Sequence, residues 1–230
     1  IRQQRAQLGR IACAQRGHNP LLASYGPALL DRALLDALCR ALGASFYAAL
    51  RSNRVGLGTR HPQFAGFAWD GFLSALAPAP SIAARHTVGL VDAITAADLT
   101  QPVNDGLPET LEQVIARYGH RHFKLKVGGR IDDDVARLTR IAAVLDRSAE
   151  PYFASLDGNE QYDGIEGVAE LLARMRATPA LARLWAAIGF VEQPITRQHA
   201  LEVDVRPLAR EFVMKFQQLT GPVMAKGMED

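Results

Sequence analysis

An α/β fold with parallel strands is what this 230-residue sequence predicts, on three observations. Beyond about residue 81, strand-like apolar runs alternate with helical ones, an order that favours parallel pairing. The strand-like runs end in polar residues that recur at near-constant spacing. The composition is that of an ordinary globular protein, with 48% hydrophobic and 22% charged residues and a formal net charge of +2.

The same composition excludes several classes. A near balance of charge without a long basic run argues against nucleic-acid binding. No apolar run approaches the ~18 residues of a membrane span, and nothing at the start resembles a signal peptide. Cys13 and Cys39 lack metal-type spacing and sit among alanines and leucines. They are expected to be reduced core residues of a soluble, cytoplasmic protein with no membrane or nucleic-acid partner.

Taken in order, residues 25–50 predict a helix, with Pro27 in its first turn and leucines at 30, 34, 35, 38 and 42 at helical spacing. Gly43 should stop it, and a shorter helix, SFYAALR, follows. RSNRVGLGTRHPQFAGFAWDGFLSALAPAPS is rich in glycine, proline and aromatics, which suggests a lid or binding loop. A domain boundary is expected near Pro80. ARHTVGLVD then predicts a strand and PETLEQVIARYG a helix beginning at Pro108. HFKLKVGG predicts a strand, and DDDVARLTRIAAVLDR a helix whose acidic first turn suits the helix dipole. YFASLDGN predicts a strand, GIEGVAELLARMRA a helix and WAAIGFVEQP a strand.

Lys124 and Lys126 stand two apart on the second of these strands, so both ammonium groups project from one face. Asp157 and Asn159 end the third strand and Glu192 the fourth. From Lys124 to Asp157 is 33 residues and from Asp157 to Glu192 is 35, close to the ~31 of a (β/α)8 barrel repeat. Barrel strand tips converge on one face, where active sites lie. Two carboxylates suit Mg²⁺. A lysine beside a cation and a second lysine should have a lowered pKa and serve as a base near neutral pH. Such a base could remove a proton α to a metal-held carboxylate, leaving an ene-diolate.

KLK followed by glycines, then LDGN, then VEQP, on successive strands, resembles the enolase superfamily, closest to its mandelate racemase and muconate lactonizing branches. The resemblance covers roughly residues 25–195. It implies a TIM-type barrel, in part, preceded by the helical remainder of an α+β capping domain. In that scheme residues 1–80 belong to the capping portion, 81–210 to barrel strands one to four, and 211–230 to a C-terminal segment joined discontinuously. By position it implies Lys126 as general base, Lys124 as its electrostatic partner, Asp157 and Glu192 as Mg²⁺ ligands, and Asn159 as a polar group beside the metal. It also implies a small-molecule carboxylate substrate and a racemase, cycloisomerase or dehydratase reaction. Branches with such lysine pairs act on sugar acids, dipeptides and N-acylamino acids, or cyclohexadienyl acids, and oligomers are common among them.

The pattern's third carboxylate has no clear counterpart. The acids near enough in sequence are Glu202, Asp204, Glu211, Glu229 and Asp230, and none follows an apolar strand-like run. Four strands cannot close a barrel, so further strands are expected outside this sequence, or segments joined around VDVRPLAREFVMKF. Two other functions remain open: a non-catalytic enolase-like scaffold, and a metal-independent enzyme whose lysines bind phosphate. Gly128–Gly129 could form an anion-binding nest, or simply turn the chain into the next helix. His61, His86, His120, His122 and His199 show no useful pairing.

Overall fold

The computed structural model describes residues 9, 11–18, 22–58, 65–196, 199–200, 203–204 and 208. The chain divides into two compact units, Ile1–Ser81 and Ile82–Asp230.

In the first unit, α1 spans Leu22–Leu42, α2 Phe46–Arg51 and α3 Trp69–Ala75. Pro27 lies inside α1 rather than in its first turn. The alanine- and leucine-rich flanks favour helix strongly enough to span one missing hydrogen bond. Gly43 ends α1 in the left-handed region at φ 60°. The irregular stretch expected over 51–81 contains a helix, α3, tied to α2 by Arg51 donating to the Ser74 carbonyl at 2.9 Å. Cys13 and Cys39 are free thiols, but half-buried rather than core, and α1 buries none of its residues. The loop residues His61–Phe64 lie outside the described residues, as do Glu202, Glu211, Glu229, Asp230 and most of the expected join near VDVRPLAREFVMKF.

The second unit runs β1 (Arg85–Val88), α4 (Leu111–Tyr118), β2 (His122–Lys126), α5 (Ile131–Leu145), β3 (Phe153–Asp157), α6 (Ile165–Ala177), α7 (Ala182–Ala187) and β4 (Ile188–Glu192). The expected α/β class is what forms: a four-stranded parallel sheet in the order β1-β2-β3-β4. α4 begins at Leu111, not at Pro108, because Thr110 and Gln113 make a reciprocal capping box there. Trp185–Ala187, expected in a strand, close the short helix α7, and β4 starts only at Ile188.

One sheet face joins the helices in a single core. Phe123 and Leu125 of β2 and Ala154 and Leu156 of β3 pack with Leu138 and Ile141 of α5, Leu171 and Met175 of α6, and Leu184 of α7. Fully burying side chains of this size contributes roughly 1.5–3 kcal/mol each. The alternate residues of β2 (His122, Lys124 and Lys126) are only half-buried.

The β3–β4 pairing carries a register shift. Ala154 pairs with Ile188, but Ser155 pairs with Phe190, so Gly189 is the extra residue of a bulge. A methyl at Gly189 would come within 2.2 Å of the Phe153 ring, which is why a residue without a side chain sits there.

Candidate active site at the strand tips

Register assembles the site. Lys126 pairs with Asp157, and Asp157 with Glu192, so three tip residues form one row across β2, β3 and β4. The Gly189 bulge is what completes the row. Had the Ala154–Ile188 register continued, Val191 would stand opposite Asp157 and Glu192 would turn to the other face. Below it lies a second row, Thr87, Lys124, Ser155 and Phe190.

The five residues expected at the site meet in one ionic lattice. Lys124 Nζ and Lys126 Nζ each lie 2.6 Å from Asp157 Oδ2. Lys124 also donates to Glu192 Oε1 at 2.9 Å. Lys126 donates to Asn159 Oδ1, and the Asn159 backbone N–H donates to Asp157 Oδ1 at 2.9 Å. Asp157 is completely buried, whereas the Glu192 side chain keeps 33% of its accessibility. A fully buried carboxylate persists only when paired and hydrogen-bonded, and Asp157 has two ammonium donors and an amide.

These contacts set the charge states. Burial pushes the Asp157 carboxyl up, but donation from Lys124, Lys126 and the Asn159 amide outweighs it, so the group sits below its ordinary value. Asp157, helped by Glu192, raises the Lys124 ammonium above its ordinary value against the opposing pull of burial.

The turns beyond the tips are built for close approach. Gly158 N–H donates to the Glu192 carbonyl at 3.0 Å, and a side chain at Gly158 would meet Pro194 Cα at 3.0 Å. Asn159, Glu160 and Gln193 all have positive φ, at 43°, 69° and 41°. Asparagine tolerates this region readily, whereas glutamate and glutamine adopt it at some cost.

Sequence reasoning missed Arg85. It starts β1, yet its guanidinium crosses to donate to Ser155 Oγ at 3.0 Å, lies 3.8 Å from Glu192 Oε2 and stands 5.8 Å from the Phe190 ring centre. The only sequence signal was its place two residues before Thr87, on the same strand face as the lysines. His86 and His120, for which no pairing was foreseen, stack with ring centres 5.7 Å apart. Burial first, then His120, lowers the His86 pKa.

Gly128 and Gly129 do form a nest for an anion, and the anion belongs to the protein. Their amides donate to Asp134 Oδ1 and Oδ2 at 2.7 and 3.0 Å. Those two donors are therefore engaged by the chain itself.

As a donor set, Asp157 and Glu192 fit Mg²⁺. They are hard oxygens on adjacent tips, and two carboxylates are about what Mg²⁺ takes from a protein when water and substrate supply the rest. Among the described residues no group of three or more His, Cys, Asp or Glu could hold a metal, so any further anionic ligand would come from outside that set. With Arg85, Lys124 and Lys126 against two carboxylates, the cluster already carries one surplus positive charge, which suits an anionic substrate. Among the described residues, no helix is long and apolar enough to cross a membrane. No protein-family model, curated protein or solved structure matches the chain.

Proposed function

We propose that this chain carries the site of a Mg²⁺-dependent enzyme that abstracts the proton α to the carboxylate of a small-molecule acid, leading to racemisation, cycloisomerisation or dehydration. The observation that carries this reading is the sharing of one buried carboxylate, Asp157, by two lysines in register with Glu192. On this reading the four-stranded sheet is part of a (β/α)8 barrel and the first unit is part of a capping domain.

The two lysines divide the work. Lys124 contacts both carboxylates and holds its proton more tightly than a free lysine, so it serves as a fixed positive charge. Lys126 sits at the strand end, 21% exposed, with Asp157 and Asn159 orienting its Nζ. It is the group that accepts the substrate's α proton. Asp157 and Glu192 would hold the cation. Mg²⁺, when bound, supplies stabilisation of the negative charge that develops on the substrate carboxylate. Asn159 also orients Lys126, since its Oδ1 accepts from Lys126 Nζ.

A second reading, a scaffold without chemistry, draws on the same lattice: both lysines and both carboxylates in it are paired within the chain. The phosphate-binding alternative has less support, because the Gly128 and Gly129 amides are engaged by Asp134. The deciding experiment follows α-proton exchange by NMR in deuterated water with Mg²⁺. The panel holds sugar acids, N-acylamino acids, dipeptides and cyclohexadienyl acids. Exchange that requires both Mg²⁺ and Lys126 supports the enzyme. Exchange that persists in Lys126→Ala removes Lys126 from the role of base.

A further inference from the structure

The proposed site joins two separate segments of chain, the end of β2 with Lys126 and the turn after β3 with Asn159. A second contact joins the same two segments from behind. Asp134, in the first turn of α5, is 4% exposed. Its Oδ1 and Oδ2 accept the Gly128 and Gly129 amides, two and three residues beyond Lys126. Its Oδ2 also accepts the Tyr162 hydroxyl at 2.8 Å. Tyr162 lies three residues beyond Asn159 and is 3% exposed. Its own backbone is tied onward by donation to the Pro194 carbonyl at 3.3 Å and a bridge to Ile195, next to the tip that carries Glu192.

The fit around this contact is close. Gly129 has φ 82°, and a methyl there would lie 2.4 Å from the Gln161 carbonyl oxygen, so the β2 loop rests directly against the β3 turn. Neutral–ionic hydrogen bonds in a water-poor setting are among the stronger ones. Asp132 and Asp133, Asp134's neighbours in the run of three acids, are exposed and pair with Arg174 and Arg130. Only the third acid turns inward.

We infer that Asp134 and Tyr162 form a positioning clamp that fixes the distance between Lys126 and the Asp157–Asn159 turn. Their side chains form no hydrogen bond or ion pair with those of the five site residues and act through the backbone of the loops that carry them. This inference rests on the proposed site, because the clamp matters functionally only if Lys126 must be aimed.

Its test needs neither substrate nor metal. The full-length protein is acylated with limiting acetic anhydride, and modification at Lys126 and Lys124 is compared by peptide mass mapping. Tyr162→Phe removes one hydroxyl and keeps the ring. It should raise Lys126 labelling relative to Lys124 severalfold, because Lys124 remains held by Glu192. Asp134→Asn, which presents an amide to two N–H groups, should shift the ratio further. If Asp134→Asn does not fold, Tyr162→Phe decides alone. A lower melting temperature with the wild-type Lys126 to Lys124 ratio would reduce the pair to a purely structural role and overturn the inference. Absence of α-proton exchange in the wild-type chain would defeat the catalytic reading separately, with the labelling ratio still deciding the clamp.

Discussion

The two faces of the central strands present opposite solutions to burying polar backbone. On one, Phe123, Leu125, Ala154 and Leu156 disappear among the helices, at most 1% exposed, and stability grows with apolar area removed from water. On the other, Lys124, Lys126, Asp157 and Glu192 hold one another by charge. Each such pair gives back part of its attraction in lost hydration. Parallel sheets are usually covered on both faces, and a charged cluster concentrated at one face's tips departs from the usual apolar cover. Leu125 and Lys126 are neighbours in sequence and opposites in role.

The largest expected effect separates them. Lys126→Ala should lower α-proton exchange by roughly 10²–10⁴-fold, the usual worth of a positioned base, with a small change in melting temperature. Kinetics together with thermal melts would show the split, and a large loss of stability in this variant would blur the distinction between faces. Leu125→Ala should do the reverse. A fully buried leucine replaced by alanine costs about 2–5 kcal/mol, visible as a lower denaturation midpoint, while the folded fraction keeps its exchange activity.

Gly189→Ala tests how the two faces are kept in phase. A methyl 2.2 Å from the Phe153 ring must displace it, at a cost of about 1–3 kcal/mol. Any relaxation of the bulge would also move Glu192 out of line with Asp157. Denaturant unfolding should record the first effect, and weaker Mg²⁺ binding the second.

The smallest effect lies on the helix side, where Asp98 accepts from the Thr95 and Ile94 amides and pairs with Arg140 of α5. The Thr95 amide, Arg140 and the Ile94 amide, in that order, lower its carboxyl from its ordinary value to about 2. A depressed folded pKa gives stability that is complete above the unfolded value, near 3.9. It is lost as pH falls through about 2. The melting-temperature gap between wild type and Asp98→Asn should therefore close across that window. A gap that stays constant down to pH 2 would mean the contacts at Asp98 do not depend on its charge.

How much of this was legible beforehand follows from which features are local. The period of two across HFKLK put both lysines on one face, and the spacing of Asp157 and Glu192 brought the tips together, because alternation and repeat length are properties of sequence. Register is not, since it belongs to pairs of strands. The Gly189 bulge that turns Glu192 toward Asp157 therefore had no signal beyond one glycine in an apolar run. WAAIGF is apolar in either conformation, so the boundary between α7 and β4 was misplaced. Arg85 escaped notice because its reach to Ser155 and Glu192 depends on how neighbouring strands lie. In the run Asp132–Asp134 three identical residues conceal one buried carboxylate, which only helical phase distinguishes.

The measurement that bears most directly on the central claim is a calorimetric titration of the full-length protein with Mg²⁺, run beside Asp157→Asn. A site built on Asp157 and Glu192 predicts saturable one-to-one binding in the wild type, weakened more than about tenfold by the loss of the buried carboxylate. Equal binding by the two proteins, or none by either, would contradict it and leave the strand-tip lattice a purely structural network of charges.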